Sequence, residues 1–397
     1  MTRNYQTSQE LQLLILIIFI SSLGQINSDL YLPSLPNMAN KLQVSTTWIQ
    51  MTVVIYMVGF SVSQLVYGAW SDAIGRRKPL ITGLVIVFLG SVLCCLAPTI
   101  HILLLGRFLQ GLGAGAGLAL TRPILRDLFE NKKLAIYNSY LSISSVVVLS
   151  AAPILGGYIE HFAGWRYNFL FLSVYNFTIL YLFYLKLPET SQYYHQDNFQ
   201  PAIIFNNMMY LLKSNLFLKF VLPSLLTYAG ILACMTALPI VLQGKVGLSP
   251  VQFGWLSILV GSGFAFGGFI NARLVGIYGI NAMMIFGFLS QFSAGLFMLV
   301  FYLLSYLNTW VIIIPIIIFM FGSSLVFPNS STGALIPFPK IAGTAGAVFG
   351  FMQILGGAFA SGLIAFFHDE NQLPMAIAFL LTSVLSIILF YLLKPTT

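Results

Sequence analysis

The chain has 397 residues, of which 58% are hydrophobic and 7% are charged, and its mean hydropathy is +0.90. Soluble domains carry about 25% charged residues, so this composition excludes a water-soluble fold and leaves little chain for a soluble domain. The net charge of +8 does not indicate a nucleic-acid partner, because the basic residues are spread over the segments between apolar runs.

Long apolar runs recur along the whole chain. A membrane-spanning helix needs roughly 20 apolar residues, so the sequence predicts an all-α polytopic membrane protein with twelve transmembrane helices. The predicted helices cover residues 11–36, 48–70, 79–98, 101–125, 134–159, 167–187, 215–243, 250–275, 280–304, 309–329, 340–367 and 372–393.

One long polar connection divides these helices into two sets of six. We expect an N-terminal six-helix half at 1–187, a cytoplasmic linker at 188–214 and a C-terminal six-helix half at 215–397. Paired halves of this kind are typical of secondary transporters. A weak internal repeat between residues 68–75 and 268–279 agrees with a pseudo-symmetric arrangement.

The basic residues favour one side of the membrane. If the N-terminus is cytoplasmic, fourteen basic residues fall on the cytoplasmic side and three fall outside, which is a positive-inside distribution. Both termini are therefore predicted to be cytoplasmic. The inner set is Arg3, Arg76, Arg77, Lys78, Arg122, Arg126, Lys132, Lys133, Lys186, Lys213, Lys219, Arg273, Lys340 and Lys394, and the outer set is Lys41, Arg166 and Lys245.

Asp29 is the one acid well inside an apolar run, whereas the other nine acids lie at or beyond the ends of such runs. An ionisable group in hydrocarbon is costly and usually faces a cavity or a partner. Arg107 is the one cation deep inside another run. Counted from Pro36 and His101, both side chains lie roughly 10 Å below the outer ends of their helices, so we expect them to pair.

Such a pair can couple proton movement to transport. Burial favours the neutral form of a carboxyl group and a nearby guanidinium favours the charged form, so small changes in hydration or distance can switch Asp29 between the two. Arg107 cannot carry the proton, because its guanidinium stays charged. The alternative is a static ion pair, or a carboxylate bonded to nearby polar groups.

Polar, aromatic and thioether side chains are the candidates for a substrate cavity, because such groups on a flexible wall suit poorly specified apolar ligands. With a single membrane acid, neutral or zwitterionic amphipathic compounds fit better than strong cations. The candidates are Asn27, Tyr31 and Gln110 in the first half, and Tyr228, Met235, Gln243, Phe264, Gln291, Asn329 and Gln353 in the second half. Asn27, Tyr31 and Gln110, with Gln25 and Ser28, are also the expected polar neighbours of the Asp29–Arg107 pair.

Three segments resemble motifs of a known family. GAWSDAIGRRK at 68–78 resembles the signature loop of the major facilitator superfamily, between its second and third helices. LGRFLQGLGAGAG at 105–117 resembles the fourth-helix motif of the drug:proton antiporter branch, whose central arginine is Arg107. APILGG at 152–157 is similar to the fifth-helix antiporter motif, although Ala152 replaces a glycine.

Four further segments narrow the resemblance. They are DLYLPSLP at 29–36, RPILRDLF at 122–129, GWRYNF at 164–169 and LPET at 187–190. Taken together, the chain resembles the bicyclomycin- and chloramphenicol-resistance type of multidrug exporter. The resemblance covers the whole length and is denser in the first half.

The resemblance also implies a gate. Asp72 would accept hydrogen bonds from the N-terminus of span eleven, near Gly343 and Thr344, when the inside is shut. Arg76 would pair with Asp127 at the end of span four. Ala73 stands where the family has a basic residue. The loop further includes Gly68, Gly75 and Arg77, and the antiporter motif contributes Pro153, Gly156 and Gly157.

The implied function is proton-coupled export of small amphipathic compounds by alternating access, from a bacterial inner membrane. The expected partners are protons, a small-molecule substrate and lipid, and the protein is expected to work as a monomer. No enzyme activity, cofactor or metal is expected, and the spacing of Cys94, Cys95 and Cys234 predicts neither a metal site nor a disulfide framework. The alternatives are a dedicated metabolite or siderophore transporter on the same fold, and a non-transporting membrane receptor or scaffold.

Overall fold

A computed structural model describes residues 7–191, 201–367 and 371–393 of the chain. Arg3 and Lys394, two of the residues used to predict the topology, lie outside the described residues. Within the described ranges all regular secondary structure is helical, which confirms the all-α prediction.

The first predicted span is divided in the structure. Residues 11–36 were expected to form one helix, but a 42° bend separates α1 from the segment that contains α2 and α3. A second interruption lies between α2 and α3, where Pro33 and Pro36 lack the N–H that a continuing helix requires. The helices up to residue 191 are α1 (Thr7–Ser21), α2 (Leu23–Asp29), α3 (Leu35–Leu42), α4 (Thr46–Ile74), α5 (Arg77–Leu96), α6 (Ile100–Leu128), α7 (Asn131–Phe162) and α8 (Trp165–Lys186).

The remaining helices begin inside the linker. The sequence analysis did not predict α9, which occupies the end of the polar connection and is joined to α10 by the single residue Ser214. Its Leu211 is fully buried against the second half. The helices are α9 (Pro201–Lys213), α10 (Asn215–Pro239) with a π-helical extension (Ile240–Lys245), α11 (Pro250–Leu303), α12 (Thr309–Leu335), α13 (Ala342–Phe366) and α14 (Leu373–Leu392).

The described helices are consistent with the twelve predicted spans. Ten are long and apolar enough to cross a membrane, and the bent pair at the N-terminus is an eleventh candidate. α11 has 54 residues, which at 1.5 Å per residue is roughly 80 Å, more than two bilayer cores. Gly279, with φ of 77°, interrupts α11. The interruption lies where the sequence predicts a connection between two spans, so α11 comprises both.

The two halves meet differently at the two ends of the bundle. We call the end that carries residues 188–214 the linker side and the other end the opposite side. On the opposite side one apolar cluster contains residues of both halves, such as Val53 and Leu238. On the linker side the clusters are separate: one contains Leu120 and residues of the first half, the other Val348 and residues of the second half. The apolar core is therefore shared by the two halves on the opposite side and divided between them on the linker side.

The contact between α7 and α11 closes the opposite side. Gly254 lies so close to α7 that a Cβ atom there would be 2.6 Å from the carbonyl oxygen of Pro153. The hydroxyl of Ser257 donates to the carbonyl oxygen of Ser150 at 2.7 Å. Small residues allow this backbone approach in lipid, where no hydrophobic force drives helices together.

Candidate functional site

Arg107 lies two turns from the start of α6, and its side chain is fully buried, with 0% exposure. Helix α6 is rich in glycine on the faces that meet α4 and α5. Gly111 lies directly against the carbonyl oxygen of Tyr56, and Gly113 lies against the backbone of α5 at Val87. Larger residues at these positions would push the helices apart, so the glycines place Arg107 within reach of its neighbours.

The guanidinium of Arg107 is held by neutral groups. Its Nη1 donates to the carbonyl oxygen of Asn27 at 2.8 Å and to Oε1 of Gln110 at 2.6 Å, and its Nε donates to the carbonyl oxygen of Thr52 at 3.3 Å. Helix α2 ends at Asp29, so its last carbonyl groups lack helical partners. A cation is favourable at such a C-terminus. The break in span one therefore creates part of the binding site for Arg107.

Two aromatic rings enclose the same cation. The guanidinium carbon lies 4.2 Å from the ring centre of Tyr31 and 4.3 Å from that of Tyr56, and both are within the range of cation–π attraction. The Nη2 atom of Arg107 is buried without a hydrogen-bond partner. The two N–H groups of Nη2 thus have no acceptor among the described residues in this conformation.

A network of polar side chains supports Arg107 from the other side. Oδ1 of Asn27 accepts from Nδ2 of Asn176 at 3.0 Å, and both Asn176 and Gln110 donate to the hydroxyl of Ser91, at 2.9 and 2.7 Å. The sequence analysis named Asn27 and Gln110 but missed Ser91 and Asn176. Asn176 is an amide in the middle of an apolar run, and that signal was available.

Asp29 points to a different region. It lines a pocket between the two halves whose other walls are apolar apart from Ser257. Asp29 is the ionisable residue among those that line this pocket. The walls include Leu32, Leu149 and Pro153 from the first half, and Met235, Leu238, Phe253, Leu256, Val260 and Ile313 from the second half.

The predicted pairing of Asp29 with Arg107 does not occur in this conformation. Among the described residues no ion pair within 4.0 Å joins them. The reason is the phase of the helix. Asn27 faces α6, and a residue two positions further along an α-helix is turned by about 200°. The carboxylate therefore faces the space between the halves, and the guanidinium remains inside the first half.

The other predicted cavity residues lie in several places. Met235 lines the pocket beside Asp29. Tyr228 packs at the contact between the halves, with its ring centre 6.2 Å from that of Phe327. Asn329 is buried inside the second half, where its Nδ2 donates to Oδ1 of Asn271 at 2.7 Å. Asn329 is therefore a helix-packing residue here and does not line the pocket.

Three residues of the predicted gate, Arg76, Asp72 and Asp127, come together, with Ser71 beside them. The Nη1 atom of Arg76 donates to Asp72 at 2.5 Å and to the hydroxyl of Ser71 at 2.7 Å, and its Nε donates to Oδ2 of Asp127 at 3.2 Å. The Arg77 guanidinium donates to the carbonyl oxygen of Tyr184 at 2.9 Å. The ends of α4 and α6 are thus joined by one arginine.

Among the hydrogen bonds of the described residues, Asp72 accepts from Arg76 and none joins it to span eleven in this conformation. The Asp72 side chain is 63% exposed. Gly343, at the start of α13, has no atom within 4 Å of the place where its Cβ would lie, and the same holds for Gly68 in α4. The two sides of the predicted contact are therefore uncovered in this conformation.

The predicted antiporter motif lies at the contact on the opposite side. Gly156 lies directly against the carbonyl oxygen of Leu30, and Gly157 against that of Pro250. The same helix also offers Pro153 to the pocket. The motif therefore joins α7 to the end of the broken first span and to the start of α11.

The described part of the chain contains no group of three or more histidine, cysteine, aspartate or glutamate side chains that could hold a metal ion. Cys94 and Cys234 are buried and Cys95 is partly buried, and all three are free thiols.

Comparison with known proteins gives matches over the whole chain. Residues 14–361 match the model described as Major Facilitator Superfamily. The uncharacterized MFS-type transporter YdgK of Bacillus subtilis is 31% identical over 394 residues, which is 98% of this chain and 97% of the relative. Multidrug resistance protein D of Escherichia coli is 28% identical, with 92% and 91% covered. The bicyclomycin resistance protein homolog of Haemophilus influenzae is 28% identical, with 95% and 96% covered.

Solved structures share the fold at low sequence identity. A D-xylose-proton symporter superposes with a TM-score of 0.72 at 14% identity, with 95% of this chain and 97% of that chain covered. A POT family transporter in complex with a thioalcohol-conjugated peptide gives a TM-score of 0.76 at 13% identity, with 96% and 95% covered. At such identities the likeness concerns the fold alone.

Proposed function

The chain belongs to the Major Facilitator Superfamily, and from this membership we propose that it exports small amphipathic compounds in exchange for protons. The observation that carries the proposal is the position of Asp29. Asp29 is a carboxylate on the wall of an apolar pocket between the halves. The fully buried Arg107 lies inside the first half. The names of relatives that refer to multidrug and bicyclomycin resistance support drug export over a dedicated metabolite or siderophore transporter.

Asp29 and Arg107 have separate roles in this mechanism. Asp29 takes a proton when the pocket opens to the opposite side and releases it when the pocket opens to the linker side. Substrate and proton compete for the same pocket, so the entry of one promotes the exit of the other. Arg107 stays charged and supplies a fixed positive field, which acts strongly because low-dielectric surroundings screen it little.

The linker side is assigned to the cytoplasm of a bacterial inner membrane, with both termini on that side. The excess of lysine and arginine in the connections on this side supports the assignment. The separate clusters on the linker side then correspond to an inward-facing conformation. The halves 1–187 and 215–397 rock against each other, so that the pocket opens to each side of the membrane in turn. The cycle needs no second copy of the chain.

The substrates are small compounds with a large apolar surface. Aliphatic and aromatic side chains form the pocket walls, and the polar lining groups are few. Apolar walls of this kind bind by contact area and discriminate weakly between shapes. One carboxylate, which must also carry the proton, favours neutral or zwitterionic compounds over strong cations.

The test is Asp29→Asn in cells that lack other drug pumps, with accumulation of bicyclomycin, chloramphenicol and ethidium measured with and without a protonophore. The wild type should lower accumulation only while the proton gradient is intact. The variant should reach the membrane in normal amount and lose gradient-driven export. Glu130→Gln is the matched control, because Glu130 is an exposed carboxylate at the start of α7. Full gradient-driven export by Asp29→Asn would contradict the proposal.

A further inference from the structure

The carboxylate of Glu189 binds backbone groups of the gate loop from a position far along the chain. It follows α8 and stands at the beginning of the linker. Its Oε1 accepts from the backbone N–H of Arg76 at 2.8 Å, and its Oε2 accepts from that of Arg77 at 3.1 Å. Oε1 also accepts from the N–H groups of Thr190 and Ser191, each at 3.0 Å. Four backbone donors thus converge on one side chain.

These contacts make Glu189 the N-terminal cap of α5. The helix begins at Arg77, and the residue before it provides no side-chain cap. The first N–H groups of a helix have no partner within the helix, and a carboxylate there also interacts favourably with the helix dipole. Glu189 satisfies two of these donors. The cap is therefore supplied by the segment that follows α8, not by the gate loop itself.

Gly75 makes this approach possible. Its φ of 92° is a left-handed conformation that side chains disfavour. A Cβ atom at this position would also lie 2.5 Å from Oε2 of Glu189. The absence of a side chain at Gly75 therefore leaves the space that the Glu189 carboxylate occupies.

The consequence concerns Arg76, which is fixed at both of its ends. Glu189 holds its backbone, while Asp72, Asp127 and Ser71 hold its guanidinium. We propose that Glu189 is a positioning residue of the gate: it fixes the backbone from which Arg76 joins α4 to α6, so that the loop meets α13 as a preformed unit when the linker side closes. The proposal deepens the proposed transport cycle and rests on it.

Removal of this charge should loosen the loop without changing the pocket. Loss of a helix cap corresponds to roughly a 3- to 30-fold change in an equilibrium. In Glu189→Gln the population of the state closed on the linker side should fall by a factor in that range. The turnover rate should fall with it, whereas the concentration of compound at half-maximal rate should stay the same.

The experiment measures the separation of the halves directly. Spin labels are placed at Arg122 of α6 and Asn206 of α9, which are both exposed, in protein whose three cysteines are replaced. The distribution of distances between the two labels is recorded by electron paramagnetic resonance in nanodiscs. Turnover of chloramphenicol is measured in proteoliposomes under a pH gradient. Glu130→Gln is the matched control, because Glu130 occupies the N-cap position of α7 but makes no side-chain cap bond.

The expected result is a shift to longer distances and a lower turnover rate in Glu189→Gln, intermediate values in Glu189→Asp, and no change in the control. Unchanged distances and turnover in Glu189→Gln would overturn the proposal. If that variant fails to reach the membrane, Gly75→Ala is used, because its added methyl group displaces the carboxylate; wild-type behaviour of Gly75→Ala would equally overturn it. The distances need no substrate, so a failure of the export proposal is detected separately.

Discussion

The two ends of the bundle are closed by different chemistry. On the opposite side, glycines let backbones of the two halves touch, and the apolar cluster is shared. On the linker side, the ion pairs of the described residues, Arg76 with Asp72 and Asp127 and Lys133 with Glu10, all lie within the first half. Packing therefore joins the halves at one end, while at the other end the ion-paired groups that the structure describes are organised in advance within the first half and form no ion pair with the second half in this conformation.

The difference indicates how the two gates should respond to change. A packed contact is sensitive to side-chain volume and insensitive to salt. A contact between charged groups and a helix terminus is weakened by salt and by neutralisation. The substitutions below test this contrast, in order of decreasing expected effect.

The largest effect is expected at Arg107, which lies between the two ends of the bundle. Arg107→Lys keeps the charge but cannot reproduce the planar set of donors to Asn27, Gln110 and Thr52. Two charge-assisted hydrogen bonds are weakened or lost, so the free energy of unfolding should fall by about 3 kcal/mol, and export should cease. Thermal unfolding in detergent and drug accumulation measure the two effects. Arg126→Lys, at an exposed arginine of the same helix, should leave both unchanged. Equal behaviour of the two variants would contradict the assignment.

The next effect is expected at the packed end. Gly157→Val places a side chain of the first half against the carbonyl oxygen of Pro250 in the second half, and such overpacking destabilises by about 1–3 kcal/mol. The variant should lower the unfolding temperature and open the opposite side to thiol reagents. Gly268→Val is the control, because no atom lies within 4 Å of the Cβ position of Gly268. A variant at Gly157 as stable and as closed as the control would show that the close approach is not required.

A smaller effect is expected for the hydrogen bond between the halves. Ser257→Ala removes the donor to the carbonyl oxygen of Ser150, which should shift the balance towards an open opposite side by about 1 kcal/mol, or about fivefold. Ser262→Ala is the matched control, since its hydroxyl bonds only within its own helix, to Leu259. Accessibility of a cysteine placed in the pocket measures the shift, and the absence of any shift would exclude a gating role for this bond.

The smallest effect on stability is expected at the charged end. Asp72 is 63% exposed, so Asp72→Asn should change the free energy of unfolding by less than about 0.5 kcal/mol. It should nevertheless slow closure of the linker side, because in the proposed cycle closure brings this carboxylate to the start of α13. Cross-linking between the ends of α4 and α13 measures closure. High salt should mimic the variant in the wild type and should not affect the opposite side. Normal closure with impaired drug binding would contradict the gate assignment.

The spans could be predicted because runs of apolar residues define them. The contact of Arg76 with Asp127 was expected from the resemblance of a short charged segment to a known loop, and its role in a gate stays a prediction. The orientation of Asp29 could not be predicted in this way. Depth along a helix follows from counting residues, but the direction of a side chain depends on the rotation of the helix, which the bend between α1 and α2 changes.

The missed features share a physical cause. The cap that Glu189 provides for α5 joins positions more than a hundred residues apart, and nothing in either segment specifies the other. Helix α9 was not predicted because it follows a polar stretch of the linker, although its Leu211 is buried. Asn176 and Ser91 each look like isolated polar residues, and only the packing of their helices brings them together.

The junction between α9 and α10 limits how the protein can be re-engineered. Only Ser214 separates the two helices, and its hydroxyl accepts from the N–H of Phe217. Because the connection is so short, α9 should move together with α10. Extra residues at Ser214 would uncouple the two helices, so a fluorescent reporter or a spacer between the halves is better inserted before Pro201, where this connection stays unchanged.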